Sequence, residues 1–111
     1  MDDLRLGFLA SHNGSNMQAI IDACNSGVLN ATPSVIISNN STSGALKRAR
    51  RENIPCYHMS LKTHPTPELL DKSILKILIK YRVNLIILAG YMKLLGHRTV
   101  VQYRNRILNI H

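Results

Sequence analysis

The chain has 111 residues, 45% of them hydrophobic and 18% charged, with no tryptophan. That length suits one domain burying roughly two thirds of its unfolded surface, and no apolar run approaches the ~20 residues that a membrane-spanning helix needs. Fourteen Lys and Arg against six Asp and Glu leave a net charge of +8, which calls for nucleic acid, an acidic surface, a small anion, or an acidic remainder lying elsewhere.

The N-terminus "MDDLRLGF" is acidic before it is apolar and has no basic leading region, so a signal peptide is not expected and a cytoplasmic location is. Cys24 and Cys56 stand far apart and in no metal-ligand spacing. They read as small buried apolar groups in a reducing compartment, with no disulfide framework and no metal site.

Five apolar runs read as strands: "LRLGFLA" (4–10), "PSVIIS" (33–38), "IPCYHM" (54–59), "NLIILAG" (84–90) and "RILNIH" (106–111). Several are near-continuous rather than alternating, as strands covered on both faces are. The first is followed by a helix over 16–26, with Met17, Ile20, Ile21 and Cys24 at helical spacing and Gly27 placed to end it. A second helix over 43–53 turns Ala45, Leu46 and Ala49 inward and "KRARRE" largely outward. The clearest helix spans 67–81: Thr66 caps it, Pro67 suits its first turn, and Leu70, Ile74, Ile77, Leu78 and Tyr81 line one face opposite Lys72, Lys76 and Lys80. A short helix is predicted over 97–103. Strand–helix alternation of this kind, without repeats or a linker, predicts one α/β domain over 1–111. Its sheet is open, mostly parallel and doubly wound, with right-handed crossovers.

Ligands of such sheets bind beyond the carboxyl ends of the strands, where the strand order reverses. In the commonest arrangement that point lies between the first strand, ending in "SHNGSN", and the fourth, ending in "AGYMKLLG". The first loop suits a phosphate. Gly14 permits close backbone approach, Ser15 and Asn16 offer donors, and the following helix N-terminus adds free N–H groups. It is neither a G-x-G-x-x-G nor a Lys-bearing loop, and a plain turn capped by Asn13 or Ser15 would read the same way. In "RILNIH", alternation puts Ile107, Asn109 and His111 on one face, with Asn109 and His111 roughly 6.6 Å apart along the strand. An amide beside an imidazole suits a reaction at a carbonyl, the amide for oxyanion charge and the histidine for the proton. A polar residue and a terminal histidine at a frayed edge would show the same pattern.

"HNGSNMQAIIDAC", "VIISNN", "LAGYMKLL" and "ILNIH", in this order and spacing, resemble the phosphoribosylglycinamide formyltransferase family, folate-dependent transferases of purine (IMP) biosynthesis. The resemblance covers nearly all of this chain but only the N-terminal half or so of the family's. It implies a Rossmann-like sheet of formyltransferase type cut after its fifth strand, with glycinamide ribonucleotide and formyltetrahydrofolate as small-molecule substrates and no metal. By the same resemblance, Gly14, Ser15 and Asn16 would hold the substrate phosphate. Tyr91, Met92, Lys93, Leu94, Leu95 and Asn109 would meet the folate. The substrate amine would attack the formyl group, with Asn109 and protonated His111 stabilising the oxyanion and His111 donating the proton.

The chain departs from that pattern in three places. The family continues past this histidine to a catalytic aspartate, so these 111 residues alone are expected to be inactive or nearly so. An open last strand would also favour association, which makes a homodimer the assembly to test. His12 stands where the family often has glycine, and Pro67 where it has a folate-contacting arginine that Lys62 or His64 would have to replace. His58 and His97 read as structural or solvated. Two rival readings remain: another folate-dependent formyltransferase acting on a different amine, which would not need the "GSN" loop, and a basic nucleic-acid-binding module. Against the second, Phe8 and the four tyrosines are not interleaved with the basic runs, so neither a nucleic acid nor a membrane is expected as partner.

Overall fold

Each apolar run becomes a strand and each amphipathic segment a helix. A computed structural model describes residues 3–110. In chain order it contains β1 (Leu4–Ala10), α1 (Ser15–Asn25), β2 (Ala31–Ser38), α2 (Gly44–Arg51), β3 (Cys56–His58), α3 (Pro67–Lys80), β4 (Leu85–Ala89), α4 (His97–Gln102) and β5 (Ile107–Ile110). The strands lie in the order β3-β2-β1-β4-β5, and every neighbouring pair is parallel. The order therefore reverses between β1 and β4, as the sequence predicts.

Both faces of the sheet are covered, which is why its strands read as unbroken apolar runs. On one face Leu6, Phe8 and Ala10 of β1, Ile36 of β2 and Ile87 of β4 pack against Met17 and Ile21 of α1 and Ala45, Leu46 and Ala49 of α2. On the other, Leu9, Val35, Ile37 and Ile86 meet Ile74 and Leu78 of α3, with Tyr103 after α4. Leu70, Ile77 and Tyr81 pack at the rim of that second cluster, while Lys72, Lys76 and Lys80 are exposed. Thr66 caps α3 through its hydroxyl, which accepts from Leu69 N–H at 3.2 Å. Cys24 and Cys56 are free and half-buried rather than fully buried.

Two strands differ from expectation by more than one residue at an end. The second strand begins at Ala31, two residues before Pro33, because a bulge at Leu6/Gly7 lets Ser34 slip out of register beside the proline. The third shrinks to Cys56–His58, which pair only with Ile36–Ser38, so no neighbour asks Pro33 for the N–H it lacks. α2 and α3 both end in a six-to-one capping motif. Ile54 N–H reaches the Ala49 carbonyl at 2.9 Å and Val83 N–H the Leu78 carbonyl at 3.0 Å. Asn53 and Arg82 stand in the left-handed region with φ of 57° each. No described helix is long and apolar enough to cross a membrane.

Candidate active site

The loop after β1 turns on Gly14, whose φ of 77° lies in the left-handed region. A Cβ there would also meet the Cα and Cβ of Ala45 at 3.1 Å, so backbone conformation and packing both require glycine. Gly14 itself occupies the cap position of α1, with no side chain bonded to the first turn. Neither Asn13 nor Ser15 caps the helix. Asn13 is engaged elsewhere: Arg48 of α2 donates from Nε to its carbonyl at 2.8 Å and from Nη2 to its Oδ1 at 3.3 Å. Ala45 N–H adds a bond to the His12 carbonyl at 3.0 Å. The loop is thus clamped by α2, and the N–H groups of the first turn of α1 stay open. Ser15 and Asn16 are exposed beside them, as is His12. No acidic residue stands in that turn, so the positive end of the helix dipole is unopposed.

The loop after β4 leaves the sheet through Gly90, with φ of 67°. Tyr91 and Leu95 are half-buried against the second core cluster. Burial raises the Tyr91 phenol above its ordinary pKa. Met92, Lys93 and Leu94 face outward, and Leu94 is 98% exposed, an apolar side chain with nothing to cover it. Beyond it lies a cleft of about 400 Å³ lined by Lys62, by Tyr91, Lys93 and Leu94 of this loop, and by Pro67, Leu70, Asp71 and Ile74 of α3. Lys62 lines the cleft together with Pro67, whereas His64 does not line it and bonds Thr63 through Nδ1 at 2.8 Å.

β5 brings the third set of residues to the same sheet edge. Leu9, Leu88 and Asn109 are in register on successive parallel strands, which puts Asn109 two strand spacings, about 10 Å, from the end of β1. Asn109 is exposed. His111 lies outside the described residues. His58, at the end of β3, bonds Ser60 Oγ through Nε2 at 3.3 Å, and His97 is exposed at the start of α4. Among the described residues no group of three or more His, Cys, Asp or Glu could hold a metal ion.

Residues 4–111 match the family described as formyl transferase. The chain belongs to the formyl transferase family. It is 35% identical over 103 residues to phosphoribosylglycinamide formyltransferase of Escherichia coli (strain K12), covering 93% of this chain and 49% of the relative. The Haemophilus influenzae protein of the same name is 37% identical over 107 residues, covering 96% and 50%. Among solved structures, glycinamide ribonucleotide transformylase 1 from Geobacillus kaustophilus superposes with a TM-score of 0.94 at 35% identity, over 99% of this chain and 58% of that one. The chain spans about half the length of the relatives it matches.

Sequence reasoning missed four side chains that hold the chain's loops in place: Ser11, Asn39, Arg48 and Asp71. Arg48 hides in a basic run that reads as a solvated face. Asp71 carried a usable signal, an acid at three and seven residues before Ile74 and Leu78 on the apolar stripe. Its carboxylate accepts from Arg98 N–H at 2.8 Å, Thr99 N–H at 3.2 Å and Thr99 Oγ1 at 2.6 Å, capping α4 from a neighbouring helix.

Proposed function

We propose that this chain is the substrate-phosphate-binding half of a phosphoribosylglycinamide formyltransferase, which moves a formyl group from formyltetrahydrofolate to the amine of glycinamide ribonucleotide. The observation that carries the reading is the shared sheet edge. An uncapped α1 N-terminus behind Gly14 and the exposed amide of Asn109 both open at the carboxyl end of the sheet, on loops and strands separated by one intervening strand, which suits a phosphorylated ribose carrying a short amine arm.

In this scheme the phosphate sits on the N–H groups of Ser15 and Asn16 and their side chains. The folate lies along Met92, Lys93, Leu94 and Leu95, with Tyr91 at its edge and its carboxylate end directed to the cations Lys62 and Lys93. Exposed Leu94 gains an apolar cover. The amine attacks the formyl carbon, Asn109 donates to the oxyanion, and His111 supplies the proton as the carrier nitrogen leaves. Tyr91 is a neutral phenol at physiological pH, as any tyrosine is, and burial moves its pKa further from that range, so it adds no negative charge beside the folate. Both substrates are small and water-soluble, consistent with a cytoplasmic setting.

Calorimetric titration of glycinamide ribonucleotide into the chain, followed by a formyl-transfer assay on the same sample, tests this. Binding without turnover is expected, since the chain spans about half of its relatives. No binding to a folded sample would sink the phosphate reading.

A further inference from the structure

Three loops leave the carboxyl ends of β1, β2 and β4 side by side, because Ala10 is in register with Ser38 and Leu9 with Leu88. One hydroxyl joins all three. Ser11, 2% exposed, accepts from Met92 N–H at 2.8 Å and donates to Asn39 Oδ1 at 2.6 Å. The direction is fixed. A backbone N–H can only donate, so the single Ser11 proton goes to Asn39. Asn39 in turn lines the cleft, and Ser11 is three residues from Gly14.

Tyr91 and Leu95 pack the loop after β4 against the second core cluster, but its middle has no such packing. It departs through Gly90, around whose missing Cβ there is nothing within 4 Å, and its far end is held by Asp71 at the start of α4. Between these anchors Met92, Lys93 and Leu94 are exposed. Ser11 is therefore the hold at the start of the segment, and it sits on the backbone that must settle when an anion binds at residues 14–16.

We infer that Ser11 is a positioning residue that couples anion occupancy of the first loop to the placement of residues 91–95. The inference rests on the phosphate reading above. Its function is to keep the two substrate loops at a fixed spacing, so that filling one sets the other. Removing the hydroxyl leaves each loop able to bind but no longer in step.

The test is a titration of the isotopically labelled chain with ribose 5-phosphate, following backbone amides by NMR. In the wild type, the amides of Ser15 and Asn16 shift and the Met92 amide shifts with the same midpoint. In Ser11→Ala the first two keep their midpoint within about threefold while the Met92 response disappears. Asn39→Ala, at a half-buried loop position, frees the Ser11 hydroxyl to rotate and cuts the Met92 response by at least half. A general loss of stability would instead weaken all three amides together. A Met92 response that is absent in the wild type while Ser15 and Asn16 shift, or that survives in Ser11→Ala, overturns the coupling alone. Silence at Ser15 and Asn16 overturns the phosphate reading, and the coupling with it.

Discussion

The carboxylate of Asp71, in α3, receives the hydroxyl proton of Thr99, in α4, at 2.6 Å. Both residues are buried, and the same carboxylate takes two backbone N–H groups at the start of α4. One side chain thus fixes the end of the 90–96 loop to the wall of the cleft. Asp71→Ala leaves three donors without an acceptor and is expected to cost about 3 kcal/mol. Asp71→Asn, which keeps one acceptor oxygen, should cost about half as much. Urea denaturation measures both.

Gly96 and Gly90 bound that loop and need glycine for opposite reasons. At Gly96 the backbone is ordinary, with φ of −73°, but a Cβ would fall 2.1 Å from Asp71 Cγ. At Gly90 there is open space, but φ is 67°. Gly96→Ala is therefore expected to cost about 3 kcal/mol through displacement of a buried carboxylate, and Gly90→Ala only about 1 kcal/mol of left-handed strain. Equal losses would mean that Asp71 gives way without leaving its cap.

Anion binding at the first loop separates backbone from side chain. Ser15→Ala removes one hydroxyl donor and should weaken ribose 5-phosphate about fivefold, the worth of one hydrogen bond. Gly14→Ala combines a left-handed φ with a 3.1 Å approach to the Ala45 backbone and is expected to abolish binding by turning the first N–H groups of α1 away. Calorimetry on both variants, with folding checked by circular dichroism, reads the difference.

Alkaline pH should erode stability through two phenols. Burial raises the pKa of Tyr91 and Tyr103 above the ordinary value of about 10. The folded chain then holds these protons more tightly than the unfolded chain. Their contribution is complete below pH ~10 and is lost as pH rises through the folded values. Tyr103 also donates its hydroxyl to the Val83 carbonyl at 2.9 Å, a bond that tyrosinate cannot make. The expected thermal midpoint is insensitive to these groups up to about pH 10 and falls above it. Ultraviolet titration should show them ionising above the pH at which free tyrosine does.

Arg82 offers a stabilising change. It stands at the left-handed position that ends α3, with φ of 57°, where glycine carries no Cβ penalty. Arg82→Gly is expected to raise stability by about 0.5 kcal/mol, the strain relieved less the added freedom of the unfolded chain. Chemical denaturation decides the sign.

What was legible in the sequence was local. Near-continuous apolar runs gave the five strands because helices cover both faces, and Gly27 announced the end of α1 because glycine is the usual left-handed residue there, its φ being 80°. Arg82 and Asn53 do the same work for α3 and α2 without the usual residue, so only the structure reveals those turns. Asn13 looked like a cap on its side-chain chemistry. It is diverted by Arg48, 35 residues away. Ser11 finds Met92 at a separation of 81 residues and Asp71 finds Arg98 at 27, contacts that no spacing rule encodes. The turn at Gly14, Ser15 and Asn16, proposed above to hold phosphate, is readable as a turn because strand, turn and helix are consecutive. The bonds that fix its position relative to the other loops are not, because they form only once the sheet has assembled.

Gly7, in the middle of β1, lies where a Cβ would come within 2.9 Å of Leu78 in α3 and of Val83 just beyond it. The seat of α3 against the sheet is thus set by an atom that is missing. Ile74, one turn before Leu78, lines the cleft with Leu70 and Asp71 on the same helix. A methyl group at residue 7 would act as a shim, lifting the cleft's long wall while every residue facing the ligand stayed the same. The width of the opening is governed from a residue that does not line it.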